Sequence, residues 1–156
     1  MKKLLAALML VALPLGACTK QNATTWNVSE IYTSPATAMP DAMNGSTIFL
    51  ISGKNMVAQD ICGGLQAKVK VTNDQGKTVD LKDASSTKLS FSDATAQDAN
   101  CDGQNLYVHL KMVSLVSGDY DVTHQPSTNG YTIVTLTRQA NSDDPTSKEG
   151  FQLICG

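Results

Sequence analysis

Four cysteines, two histidines and one cluster of acidic and amide side chains carry most of the chemistry open to this 156-residue chain. The cysteines are Cys18, Cys62, Cys101 and Cys155. No Cys-x-x-Cys occurs and no histidine adjoins a cysteine in sequence, so nothing marks a catalytic thiol. Asp98-Ala99-Asn100-Cys101-Asp102-Gly103 has the spacing with which a calcium loop begins, D-x-[DN]-x-[DN]-G. Hard cations take such clustered oxygens and the glycine permits the tight turn. Asp98, Asn100 and Asp102 are therefore candidate calcium ligands. However, the twelfth position is His109 instead of a bidentate Glu, and the eighth is Asn105. Half a motif in a polar loop is more often plain turn chemistry. His109 and His124, with Met39, Met43, Met56 and Met112, offer soft ligands suited to copper. They are scattered, and methionine more often fills core gaps. No Ser-His-Asp order and no close carboxylate pair stands out, so the expectation is a non-catalytic protein without a cofactor.

Cys18 sits at a special place. Met1-Lys2-Lys3 opens the chain, Leu4 to Leu15 is an almost unbroken apolar run, and the small residues Gly16 and Ala17 follow. A charged start, an apolar core of about 7–15 residues and a small-residue cut site make a secretory signal. The run is too short for a spanning helix, which needs roughly 20 apolar residues. Leu15-Gly16-Ala17-Cys18 resembles the lipobox of bacterial lipoproteins. That resemblance implies cleavage before Cys18, a diacylglycerol on its thiol and acylation of the new amine. One acyl chain binds a bilayer only reversibly, at about 0.8 kcal/mol per buried methylene, whereas two or three anchor firmly. Thr19 occupies the position where an Asp would retain an enteric-type lipoprotein in the inner membrane. The resemblance thus implies the outer membrane, on its periplasmic face. The alternative is an ordinary cleaved signal with an incidental cysteine.

Residues 1–17 are then the signal, 18–25 a lipidated tether and 26–156 one domain. The mature chain keeps 139 residues, enough for one domain with a real core. Without Lys2 and Lys3 it has 10 basic and 14 acidic residues, a net charge of −4. No basic block survives, so nucleic acid is not an expected partner. The expected partner is the lipid bilayer, reached through acylated Cys18; no protein partner is indicated. Lipidation removes Cys18 from the disulfide count. Three cysteines remain for an oxidising compartment, most simply as one pair and one leftover.

The supporting elements are mainly strands. Trp26 to Tyr32 alternates apolar and polar residues. Ser34 to Ser46 holds Pro35, Pro40 and Gly45 and reads as a loop. Thr47 to Ser52 reads as a strand buried on both faces, and Met56 to Ile61 as its hairpin partner. Cys62-Gly63-Gly64 is an expected bulge or sharp bend. Leu65 to Val71 is the clearest strand, with Leu65, Ala67, Val69 and Val71 on one face and Gln66, Lys68 and Lys70 on the other. After a turn at Asn73 to Gly76, Thr78 to Leu81 is its expected partner. Lys88 to Ser92 is a strand and Ser92 to Gln104 a polar loop. Leu106 to Ser117 alternates as a strand through Leu106, Val108, Leu110 and Met112. It also presents a helical stripe of Leu106, Leu110, Val113 and Ser117; periodicity alone leans to strand. Tyr120 to Thr123, Tyr131 to Arg138 and Phe151 to Cys155 are further strands, joined by loops at Gln125 to Gly130 and Asn141 to Gly150.

This order of features resembles the META/HslJ-like lipoprotein domain. Trp26 opens the domain and Ile48-Phe49-Leu50 stands at the second strand. Asp60-Ile61-Cys62-Gly63-Gly64 stands at a Gly-Cys-Asn type motif, with Gly63 in place of the asparagine. Thr95 to Cys101 stands at a Thr-x-x-x-Cys type motif, two residues longer. The resemblance implies an α+β fold, a mostly antiparallel sheet with one helix packed on it, and makes Leu106 to Ser117 the helix. The alternative is an all-β sandwich. It also favours a Cys62–Cys101 disulfide, and both cysteines lie beside turns that could accept one. Cys155 then becomes a buried free thiol, unless it staples the last strand to Cys62 or Cys101. The function implied is a non-catalytic envelope protein linked to stress or drug tolerance. A different reading is a periplasmic ligand-, ion- or inhibitor-type binding module, which would show a concave apolar site with converging polar groups.

Overall fold

The computed structural model describes residues 23–33, 47–127 and 129–156. The signal, Cys18, most of the tether and the loop from Ser34 to Ser46 lie outside the described residues. Eight strands follow one another in space as in sequence: β1 (Thr24–Tyr32), β2 (Ile48–Ser52), β3 (Asn55–Asp60), β4 (Gly63–Asn73), β5 (Ser86–Ala96), β6 (Gly118–Gln125), β7 (Thr132–Asn141) and β8 (Asp144–Cys155). Each pairs antiparallel with the next, and β8 pairs back onto β1 to close a barrel. One helix, α1 (Gly103–Leu115), interrupts the wall between β5 and β6. The fold is thus mostly antiparallel β with one short helix. The sheet closes on itself, so the two-layer sandwich is not formed.

Alternation decides inside from outside. On β4, Leu65, Ala67, Val69 and Val71 are buried while Gln66, Lys68 and Lys70 are exposed. Trp26, Val28, Phe49, Leu136 and Leu153 point the same way and fill the interior. Phe49 lies edge-on to Phe91 and Phe151, with ring centres 6.2 and 5.1 Å apart, a favoured aromatic geometry. Polar-out, apolar-in is the reverse of a membrane-spanning barrel. β2 obeys it too: Phe49 is buried but Leu50 is 37% exposed, so the expected burial on both faces is corrected. β1 begins at Thr24, two residues before the expected domain boundary, because Thr24 and Thr25 pair with Ile51 and Leu50.

Three other expectations are revised. Thr78 to Leu81 is no strand; it keeps one bridge, Thr72 to Thr78. Asn73, Asp80 and Asp83 each turn a side-chain oxygen onto a backbone N–H two residues on, at 2.9–3.0 Å. A string of Asx turns competes with a ladder and wins here. Asn141 to Gly150 is mostly strand: β8 starts at Asp144 and pairs with β7 from there on. Asp144 to Thr146 are exposed, so no apolar period advertises this arm. Finally, β5 continues to Ala96 through a bulge at Asp93, whose φ is 52°.

α1 buries Val108, His109, Met112 and Leu115. Leu110, on the expected stripe, is 55% exposed. Val108, Met112 and Leu115 lie at i, i+4 and i+7 and so share a face. With Val116 they join the barrel core. The helix therefore packs over the end where β3 finishes and β4 starts. At its C-terminus the Tyr120 hydroxyl donates to the Leu115 carbonyl, and the Arg138 guanidinium donates to the Ser117 carbonyl. Arg138 also pairs with Glu149 at 2.8 Å and lies over the Tyr120 ring. A cation suits a helix C-terminus.

The β7–β8 hairpin makes two predictions. Gly150 has φ 148°, and a Cβ there would stand 1.8 Å from the Leu136 carbonyl oxygen, whereas a Cβ at Gly53 (φ 57°) meets nothing within 4 Å. Gly150→Ala should cost on the order of 3 kcal/mol or more, and Gly53→Ala only about 1 kcal/mol; equal urea midpoints would contradict this. The Asp144 carboxyl accepts from Thr146 N–H and hydroxyl, which hold its pKa below the ordinary value. A depressed folded-state pKa gives stability present above the unfolded value and lost as pH falls through the folded one. NMR titration should show the Thr146 amide following that lower midpoint, and losing the titration in Asp144→Asn.

Candidate functional site

Among the described residues, chemistry gathers at both ends of the barrel. The first is where the β3–β4 turn meets the approach to α1. Asp60 ends β3 and His109 lies one and a half turns into α1. His109 Nδ1 stands 2.8 Å from Asp60 Oδ2 and 3.0 Å from Oδ1. Their side chains are only 2% and 4% exposed, for His109 and Asp60 respectively. Asp60 Oδ1 also accepts the backbone N–H groups of Cys62 and Gly63, at 2.8 and 3.2 Å. Gly63 takes φ 150° in the turn that this bonding shapes. Cys62 is buried and joined to Cys101 by a disulfide with Cα atoms 5.1 Å apart. The Asn100 N–H donates to the Cys62 carbonyl, and the Gln97 N–H to the Gly64 carbonyl. Asp60, Cys62 and His109 place one ligand atom each within 4.8 Å of one another.

The calcium candidates stand differently. Asp98, Asn100 and Asp102 are exposed along the segment leading to α1. Asp102 is the N-cap residue of α1, without a side-chain cap bond. His109, at the twelfth position of that motif, faces Asp60 instead. Cys155 also departs from expectation. It is buried at the end of β8 and is itself disulfide-bonded, so it is not the leftover thiol, and with Cys62 on Cys101 it does not staple to either.

The second place is the opposite end, where β1 begins. A cleft of about 830 Å³ opens there between the β2–β3 turn, β4 and the segment from Thr78 to Leu81. Trp26, Val69, Val71 and Leu81, all buried, form its apolar floor. Lys54, Lys68, Lys70 and Asp80 also line it, Lys68 and Lys70 from the exposed face of β4. Three cations against one carboxylate leave a positive rim on a chain of negative net charge. Thr24, the first residue of β1, also lines it.

Near this end lies a pair that sequence reading missed. His124 Nε2 is 2.8 Å from Ser86 Oγ. The two are 38 residues apart, and no spacing rule links them. Ser86 is 1% exposed, and its hydroxyl also faces the Leu81 and Asp83 carbonyls at 3.1 and 2.8 Å. A nucleophile needs access and a proton-accepting base aligned on it. This hydroxyl instead closes a turn. Elsewhere, burial and the Glu30 carboxylate push the Tyr32 phenol up to about 12.

No family model matches the chain, and neither the curated proteins nor the solved structures yielded a match.

The latch between Asp60 and His109 yields a stability prediction. Removing one member of a buried hydrogen-bonded pair leaves the other unsatisfied, at a cost of about 1–3 kcal/mol. Asp60→Ala strands His109 and the two backbone donors and should fall in that range by urea denaturation. Asp60→Asn keeps an acceptor for the turn and should cost less. If the two variants unfold at the same midpoint, the turn contacts contribute nothing beyond the pair.

Proposed function

We propose that this protein is a bacterial cell-envelope lipoprotein, anchored through acylated Cys18, whose barrel is a non-catalytic binding module for an anionic amphiphile. One observation carries the binding half: an apolar floor under three lysines in a single cleft. A ligand site of this kind is concave, mostly apolar and edged by a few converging polar groups. An acyl chain suits the floor and a phosphate or carboxylate head suits Lys54, Lys68 and Lys70. Each lysine near an anionic surface contributes about 1 kcal/mol. The signal and lipobox support the anchor. The short stretch from Cys18 to Thr24 spans at most roughly 20–22 Å, which favours a cleft facing the outer-membrane surface from the periplasm.

A Trp-bearing first strand, a paired Cys62 and Cys101 and a single helix before β6 support a META/HslJ-like domain, and with it a role in stress or drug tolerance. The well-filled barrel interior favours a second reading, a structural envelope protein whose cleft holds nothing.

Trp26 is the only tryptophan and lines the cleft, so its fluorescence reports the site. Titration with an alkyl phosphate below its micelle concentration should give a saturable change that weakens with salt. An alkyl maltoside of the same length should bind at least about tenfold more weakly. The triple variant Lys54→Glu, Lys68→Glu, Lys70→Glu should lose the preference. Equal response to both amphiphiles, or none, supports the structural reading instead. The anchor is read from the intact mass of membrane-extracted protein: acylation needs the Cys18 sulfur, and Cys18 is the one cysteine that the Cys62–Cys101 pair leaves for Cys155, so lipid and a bond from Cys155 to Cys18 exclude each other. A mature mass without acyl additions overturns the anchor.

A further inference from the structure

We infer that reducing the Cys62–Cys101 disulfide uncovers a zinc site built from Cys62, Cys101, His109 and Asp60. The inference does not depend on the amphiphile cleft, which lies at the other end of the barrel. Three of the four residues already place ligand atoms within 4.8 Å of one another, all buried. The fourth, Cys101, is bonded to Cys62 and so stands within reach of the cluster through that sulfur. Two thiolates, an imidazole nitrogen and a carboxylate oxygen are the donor types of four-coordinate zinc.

The surroundings favour a bound metal over an accident of packing. A buried polar pair adds little stability compared with apolar residues of the same shape, yet Asp60 and His109 meet beside the disulfide. Asp60 Oδ1 is oriented by the Cys62 and Gly63 backbone N–H groups, the kind of support that fixes metal ligands. While the disulfide is closed, each sulfur's bonding is satisfied by the other and the site is shut. Opening it takes two electrons and two protons and yields two thiols, the electrons coming from a dithiol that itself becomes a disulfide. Zinc binding then releases the two thiol protons. The loop from Asp98 to Gln104 is largely exposed and gives a reductant its approach.

The test uses the whole mature chain, reduced with a phosphine and titrated with cobalt(II). The expected result is one equivalent bound, with the visible bands of a tetrahedral ion and a thiolate charge-transfer band, both lost when zinc displaces cobalt. The oxidised chain should show neither band. Cys62→Ser should abolish them, His109→Gln should weaken binding about tenfold or more, and Cys155→Ala should leave them unchanged. Circular dichroism accompanies each titration. If the reduced chain loses its β signal, zinc should restore it, because such binding is coupled to folding. Absence of tetrahedral cobalt bands in the reduced chain, folded or not, overturns the proposal. So does their survival in Cys62→Ser, or their loss in Cys155→Ala with the β signal intact.

Discussion

The buried contact between Asp60 and His109 holds the one element, among the described residues, that is not part of the barrel wall. A closed barrel leaves no strand edge unpaired, and here the chain must still leave the wall after β5 and return at β6. Whatever fills that excursion has to cover the barrel's end without exposing the Leu65 and Phe91 level of the core. α1 does this with Val108, Met112 and Leu115, but an isolated helix of 13 residues is marginal in water. It therefore depends on tertiary ties. Asp60 and the Cys62–Cys101 disulfide fix its N-terminal side to the β3–β4 turn. Tyr120 and Arg138 fix its C-terminal side to β6 and β7. In the chain-entropy view, a disulfide across 39 residues adds roughly 3–4 kcal/mol.

The two ends of the barrel thus differ in kind. The helix end is tied down by a covalent bond, a buried side-chain hydrogen bond and backbone bonds. The opposite end is left with an open cleft, because the segment from Asn73 to Ser86 spends its hydrogen bonds on Asx turns instead of on β4. Val79 still reaches Val71, and Leu81 still enters the core, so the segment is pinned at intervals and bows out between them. The same local chemistry that denied Thr78 to Leu81 its place as a strand leaves room above Val69 and Val71.

Much of the wall could be read from residue order. Leu65 to Val71 alternates cleanly because one face meets a packed core and the other meets water. What could not be read was closure: pairing of β8 with β1 joins Ile31 to Phe151 across the whole chain, and no local pattern encodes it. The exposed half of β8 was equally silent, since a hairpin arm standing clear of the core has no apolar period. At the helix, the strand period and the expected helical stripe share Leu106 and Leu110, so the sequence alone could not separate them, and the stripe through Leu110 pointed to the wrong face, since Val108, Met112 and Leu115 are the buried ones. The site was half legible. Cys62 and Cys101 stood out as cysteines, while Asp60 and His109 looked like a turn acid and a misplaced loop ligand. Their partnership spans 49 residues and appears only once the helix has docked.

The cleft's place relative to the anchor follows from the same topology. In an up-and-down barrel, the start of β1 lies at the end that also carries the β2–β3 turn and the finish of β4. Lys54 and Lys70 belong to those two elements, and Thr24 sits beside them. A tether attached before Thr24 therefore enters at the cleft end, never at the helix end. If lipid holds Cys18, the lysines meet the headgroups first and the disulfide-capped helix faces away into the periplasm. That arrangement would set the cleft against the bilayer and leave the Cys62–Cys101 bond on the side open to soluble dithiols.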